Sequence, residues 1–123
     1  MKPTDSELEI LQILWTAGPS TVRFVHESLS NIKSVTYTTT LKTMQVMFDK
    51  GLLTRDTSQR SHVYVPAVTK SNIQSDILNR LKHSVFDGST SELIMKAIGQ
   101  DQPNKEELEK IRELIDKLDK DHD

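Results

Sequence analysis

Val35-Thr36-Tyr37-Thr38-Thr39-Thr40-Leu41-Lys42-Thr43-Met44, continuing through Met47-Phe48 to Lys50-Gly51-Leu52-Leu53, is the stretch on which the reading of this chain turns. At about 100° per residue, Tyr37, Leu41, Met44 and Phe48 fall on one side of a helix, with Met47 and Thr40 at its edge. The opposite side carries Thr38, Thr39, Lys42, Val46 and Asp49, flanked by Thr43 and Lys50. Threonine is a poor helix former, so stability alone does not choose it at 36 and 38–40. Hydroxyls and a lysine near a helix N-terminus suit phosphates, which the helix dipole also favours. They also suit base edges: threonine offers a hydrogen bond and a methyl for thymine, and lysine reaches guanine or phosphate. The plainer alternative, a solvated surface face, accounts less well for hydroxyls in place of Glu and Lys, or for Val46 pointing outward.

Two short pieces rich in β-branched and aromatic residues follow, Leu52-Leu53-Thr54-Arg55-Asp56 and His62-Val63-Tyr64-Val65. Joined by Thr57–Ser61 and stopped by Pro66, they predict a β-hairpin. Arg60 at its tip, with Arg55 and His62 near its base, fits phosphate contact. Upstream, Thr4 and Glu7 form a capping box for a first helix striped by Leu8, Leu11 and Trp15. Ile10, Ile13 and Leu14 widen that stripe until Gly18-Pro19 stops the helix. Ser20-Thr21 cap a second short helix bearing Val22, Val25 and Leu29, where Thr21 and Arg23 are candidate backbone contacts. Ser30–Ser34 is a polar connection. Three helices and a basic hairpin, in that order, predict a winged helix-turn-helix. Its candidate DNA-binding residues are Thr21, Arg23, Thr36, Thr38, Thr39, Lys42, Thr43, Val46, Arg55, Arg60 and His62.

From residue 70 the pattern is helical throughout. Ser71 is the expected cap of a helix with Ile73, Ile77, Leu81 and Val85 at i, i+4 spacing, broken at Phe86-Asp87-Gly88. Ser89 and Glu92 predict a second capping box before Leu93, Ile94, Ala97 and Ile98, ending at Gly99. Asn104 and Glu107 predict a third, before Leu108, Ile111, Leu114, Ile115 and Leu118. Glu106–Lys110, Glu113–Lys117 and Asp116–Lys120 are i, i+4 pairs, each worth roughly 0.2–0.5 kcal/mol. One neighbouring helix cannot bury these narrow stripes, so they look like half of a dimer interface. The candidate dimerisation residues are Ile77, Leu81, Val85, Phe86, Leu93, Ile94, Ile98, Leu108, Ile111, Leu114 and Leu118. The expected fold class is mainly α with a small β-hairpin: an N-terminal winged helix-turn-helix at 1–69 and a C-terminal helical dimerisation region at 70–123.

Composition agrees with a small core helped by association, since 35% of residues are hydrophobic and 5% aromatic. The net charge of −2 is unevenly spread. Residues 20–65 hold six basic against three acidic residues, whereas 70–123 hold nine against twelve. A phosphate backbone responds to the local field, so an acidic tail elsewhere does not veto DNA binding. The absence of cysteine excludes disulfides, thiolate metal sites and cysteine nucleophiles. His26, His62, His83 and His122 lack metal-ligand spacing, and four glycines form no phosphate-cradling loop. No enzyme, metal or cofactor is expected. The first residues lack a signal peptide's apolar core and no apolar run reaches membrane-spanning length, so a cytoplasmic protein is expected. A competing class is a winged-helix protein-interaction module that does not bind DNA, with Val46 and the overall acidity in its favour.

The chain resembles the penicillinase-repressor (BlaI/MecI) family of bacterial winged-helix regulators. The stretches that carry the resemblance include Glu7-Leu8-Glu9-Ile10-Leu11-Gln12-Ile13-Leu14-Trp15, Ser20-Thr21-Val22-Arg23 and Tyr37-Thr38-Thr39-Thr40-Leu41-Lys42-Thr43-Met44. They continue through Lys50-Gly51-Leu52-Leu53, His62-Val63-Tyr64-Val65-Pro66 and Phe86-Asp87-Gly88-Ser89. The resemblance implies a homodimer that binds a palindromic double-stranded DNA operator and represses promoters, in some members those of β-lactamase or related resistance genes. It also implies a membrane sensor pathway whose protease inactivates such repressors by cutting an Asn-Phe bond in the C-terminal region. The matching stretch here, Leu93-Ile94-Met95-Lys96-Ala97-Ile98, contains no Asn-Phe pair. The related copper-responsive repressors carry a C-terminal cysteine cluster, which this chain lacks.

Overall fold

The computed structural model describes residues 2–122. Its elements are α1 (Asp5–Ala17), β1 (Ser20–Thr21), α2 (Val22–Ser30), α3 (Tyr37–Asp49), β2 (Leu53–Asp56), β3 (Val63–Pro66), α4 (Lys70–Val85), α5 (Thr90–Gln100) and α6 (Lys105–Asp121). Contacts divide the chain into a unit ending at Ser75 and a unit starting at Asp76. The expected boundary at 69/70 lies at the start of α4, whereas this division falls inside that helix, where Ile73 is still buried.

In the first unit, Thr4 caps α1 as its sequence predicts. The Thr4 hydroxyl accepts from the Glu7 N–H, and the Thr4 N–H donates to Glu7 Oε1 at 2.8 Å. Ile10, Leu11 and Leu14 of α1 meet Val22, Val25 and Leu29 of α2, Met44 and Met47 of α3, and Leu52, Leu53 and Tyr64 of the hairpin in one cluster. The Trp15 indole N–H donates to the Val68 carbonyl at 3.0 Å, tying the segment after β3 back onto α1. Gly51 adopts φ 84° just after α3, a left-handed conformation that side chains resist. That turn lets Leu52 return its N–H to the Met47 carbonyl and enter the core.

The hairpin is accompanied by a third strand. β3 pairs antiparallel with β2 (Arg55↔Tyr64) and with β1 (Ser20↔Tyr64, Thr21↔Val63), giving the order β1-β3-β2. Two residues are too few to show a strand's alternation in sequence. Thr21 serves both elements, because its hydroxyl also accepts from the Phe24 N–H and caps α2.

The buried face of α3 is displaced from the one its apolar pattern predicts. Thr40, Met44 and Met47 are buried, Leu41 and Phe48 only partly, and Tyr37 is 45% exposed. The helix is therefore turned by about 60° relative to the expected anchor of Tyr37, Leu41, Met44 and Phe48. A polar pair makes this face tolerable in the core. Thr40 hydrogen-bonds His26 Nδ1 of α2 at 3.0 Å and donates to its own helix at the Thr36 carbonyl, 3.3 Å away. A buried hydroxyl with both partners costs little, so threonine occupies a core position.

In the second unit, the Asn104–Glu107 capping box forms, whereas that at Ser89 closes on one side only. Ser89 accepts from the Glu92 N–H, but its own N–H goes to the Phe86 carbonyl. Gly99 lies within α5 and does not end it. At the start of α4, Thr69 rather than Ser71 supplies the capping oxygen, accepting from the Asn72 N–H. The ion pair present on α6 is Glu109–Arg112 at 3.2 Å, not the three i, i+4 pairs, which agrees with the small energy available to exposed pairs. Among the described residues from Asp76 onward, no side chain is buried. Ile77, Leu81, Val85, Ile94, Leu114 and Leu118 are exposed, while Phe86, Leu93, Ile98, Leu108 and Ile111 are half-buried. No helix among the described residues is long and apolar enough to cross a membrane.

Candidate nucleic-acid interface

Side chains from three elements line one groove of about 510 Å³ in the first unit. Thr21 and Arg23 come from the start of α2, Tyr37, Leu41 and Gln45 from α3, and Arg55, Arg60, Ser61, His62 and Tyr64 from the hairpin. Five of the residues singled out in the sequence therefore meet here although up to 41 positions separate them: Thr21, Arg23, Arg55, Arg60 and His62. Arg55 is held in place, its guanidinium carbon 4.0 Å from the centroid of the Phe48 ring, as a cation over an aromatic face prefers. The hairpin turn is ordered by Asp56, whose carboxylate accepts from the Ser58 N–H at 2.9 Å. That backbone hydrogen bond also lowers the Asp56 pKa.

Thr39, Lys42, Thr43 and Val46 line a second depression of about 340 Å³, which α1 completes with Thr4, Ser6 and Glu7. Thr38 is exposed on the same side of α3. Thr36 is the α3 cap: its hydroxyl accepts from the Thr39 N–H and donates to Thr39 Oγ1 at 2.9 Å. The Thr43 hydroxyl donates to the Thr39 carbonyl at 2.8 Å. Two of the four threonine hydroxyls in this cluster thus spend their proton within the helix. The donor heads that point outward with no internal partner among the described residues are those of Thr38, Lys42 and Gln45.

The local charge is distributed more narrowly than the count suggests. Lys33 pairs with Glu9 at 2.7 Å, and Lys50 pairs with Glu7 at 2.6 Å. Lys50 is thus turned toward α1 and does not flank the outward face. Glu7 is 3% exposed. Burial by itself raises its pKa, but hydrogen bonds from Lys50 and the Thr4 N–H, with the Lys50 charge, outweigh this and leave it below the ordinary 4.5. Among the described residues, the cations left without an acidic partner between 20 and 65 are Arg23, Lys42, Arg55 and Arg60, all on the two depressions.

Gln45 is not among the residues that the sequence pattern singles out, and the displacement of α3 explains why. With the expected anchor, Gln45 sits about 70° from the core direction; with the observed one it sits about 130° away, facing outward. Tyr37, expected in the core, instead lines the groove and meets the His26 ring edge-on at 5.5 Å. The signal that could have found both is Thr40, since a threonine at a core position implies a nearby polar partner.

A profile of the penicillinase repressor family matches residues 3–117. The transcriptional regulator BlaI of Mycobacterium tuberculosis is 31% identical over 75 residues, covering 60% of this chain and 54% of that protein. The penicillinase repressor of Bacillus licheniformis is 23% identical over 117 residues, covering 92% of this chain and 88% of that protein. The match thus spans about half the length of the mycobacterial relative. The chain belongs to the penicillinase repressor family.

Proposed function

We propose, with membership of the penicillinase repressor family as the premise, that this protein is a dimeric transcriptional repressor that binds a palindromic operator. The convergence of Arg23, Arg55, Arg60 and His62 with Tyr37, Leu41 and Gln45 of α3 on one groove, beside the depression lined by Thr39, Lys42, Thr43 and Val46, carries this reading. In it, α3 enters the major groove, where Thr38, Thr39, Lys42 and Val46 meet base edges. Thr36 and Thr43 place the N-terminal turn, and Thr21, Arg23, Arg55, Arg60 and His62 hold phosphates on either side. The helices from residue 70 pair two copies, through the exposed or half-exposed Ile77, Leu81, Val85, Phe86, Leu93, Ile94, Ile98, Leu108, Ile111, Leu114 and Leu118. Pairing sets the half-site separation, which for helix-turn-helix dimers is about one DNA turn, roughly 34–36 Å, or a multiple of it. The same family premise favours a regulator over an enzyme and a cytoplasmic setting, with a membrane sensor protease pathway as a candidate upstream partner.

The test is a salt titration of binding to duplex DNA taken from the promoter of the protein's own gene. Affinity is expected to fall steeply as salt rises, because phosphate contacts release counterions. Alanine at Thr38, Thr39 or Lys42 should weaken specific binding by about 1–3 kcal/mol for each lost base contact. Arg60→Ala should weaken all sequences alike and flatten the salt dependence. Salt-insensitive or absent association would favour the protein-interaction module instead.

A further inference from the structure

The hydrogen-bond accounting of α3 points to one residue that the winged-helix reading does not by itself assign. Of the outward polar side chains on this helix, Gln45 alone ends in a planar group that carries both a donor and an acceptor. It is exposed, and no internal hydrogen bond engages its amide among the described residues. It lines the 510 Å³ groove together with Arg23 of α2 and Arg55 and Arg60 of the hairpin. Those cations suit the phosphates of a duplex, and a side chain from α3 set among them suits the bases. Next to it, Val46 is 46% exposed, an apolar group where solvent alone would favour a polar one.

We propose that Gln45 is a specificity-determining residue that reads adenine in the major groove, with Val46 against the methyl of a thymine. This rests on the DNA-binding function proposed above. The chemistry is that of a matched pair. An amide accepts from the adenine N6 amino group while donating to N7, a bidentate fit that no other base edge reproduces. A valine methyl gains from a thymine C5-methyl and nothing from cytosine at the same place. Both residues therefore favour A·T pairs, once in each half-site. Lys42, one turn earlier on the same helix face, suits guanine or a phosphate and adds no such preference. The backbone has no part in this choice, since Gln45 lies mid-helix and its replacement disturbs no cap and no buried contact.

The experiment selects binding sites from a pool of duplex DNA with a randomised segment, using the full-length protein and its Gln45→Ala and Gln45→Glu variants. Thermal unfolding of all three is measured in parallel to show that each is folded. The unaltered protein is expected to select an A·T pair at one position per half-site. Gln45→Ala should lose that preference by about tenfold while keeping the others. Gln45→Glu should move it to a C·G pair, because a carboxylate accepts from the cytosine N4 amino group and repels adenine N7. Identical selected sequences for all three proteins would overturn the role of Gln45 and leave operator binding standing. Loss of preference at every position in Gln45→Ala would overturn it as well, since a single base contact cannot do that. If the unaltered protein enriches no sequence and shows no salt-dependent affinity for DNA, the operator-binding function itself fails and this inference with it.

Discussion

In the unit ending at Ser75, eleven buried side chains form a single cluster, whereas from Asp76 onward no described side chain is buried. The two regions do not differ in their supply of apolar residues. Ile77, Leu78, Leu81, Val85, Ile94, Met95, Leu114, Ile115 and Leu118 are all large, hydrophobic and exposed. The difference lies in what covers those residues. α1, α2, α3 and a three-stranded sheet enclose one another, so each covers its neighbour's apolar face. Three helices with narrow stripes have no layer of their own to complete a core. Burying a large aliphatic side chain is worth about 1.5–3 kcal/mol. The first region therefore covers its own apolar faces, and the second, in our reading, gains its stability from a second copy.

The largest effect is expected from a core truncation in the first region. Leu14→Ala should lower the unfolding free energy by about 2–5 kcal/mol, read by the fluorescence of the single tryptophan, Trp15, during denaturant unfolding. A loss below 1 kcal/mol would mean that the first unit also leans on something outside itself. Next in size is the double substitution Leu114→Asp with Leu118→Asp. Sedimentation should then show a monomer at every concentration, and the Trp15 transition should stay where it was. If the variant remains a dimer, the interface lies in the first unit.

A third experiment probes how α1 and α3 are joined. Glu7→Gln should cost about 1–2 kcal/mol, less than a fully buried pair because Lys50 keeps a third of its side chain in water. The pH dependence has a defined sign. The folded pKa of Glu7 lies below 4.5, so its contribution is complete above that value and is lost as pH falls through the folded pKa. Acid unfolding followed by Trp15 should therefore be shallower in Glu7→Gln than in the unaltered protein. A smaller effect is expected at His26. His26→Phe should cost about 1 kcal/mol by leaving Thr40 short of a partner, and His26→Asn, with an amide near the Nδ1 position, should recover part of it. Arg112→Ala should change stability by less than about 0.5 kcal/mol, since the Glu109–Arg112 pair is exposed on both sides. A larger loss there would show that α6 is less solvated in the working protein than in one chain.

Much of this was legible in the residues. Thr4 with Glu7, Ser89 and Asn104 each act at a helix start, because a cap is a local interaction between residues two or three apart. The hairpin followed from two short β-rich pieces around a polar turn. Two-residue β1 did not, because its partner is β3, more than 40 residues away. The groove was legible only as scattered basic residues; folding brings Arg23 beside Arg60. Gln45 was hidden by the displacement of α3, which depends on packing and a hydrogen bond with other elements.

Local residue order set where the helices and the hairpin lie, the family, and the residue types that our reading offers to DNA. These follow from local periodicity, capping and composition. Tertiary structure alone decided which face of α3 looks outward. Burial of Met44 and Met47 together with Thr40, whose hydroxyl His26 satisfies, sets that face, and it leaves Tyr37 out of the core and Gln45 in the groove. Tertiary structure also decided which cations remain for a phosphate, since Glu7 and Glu9 of α1 claim Lys50 and Lys33. The physical reason is the same in both cases. Rotation of a helix and pairing of a charge depend on partners 14 to 43 residues away, and no local pattern encodes them.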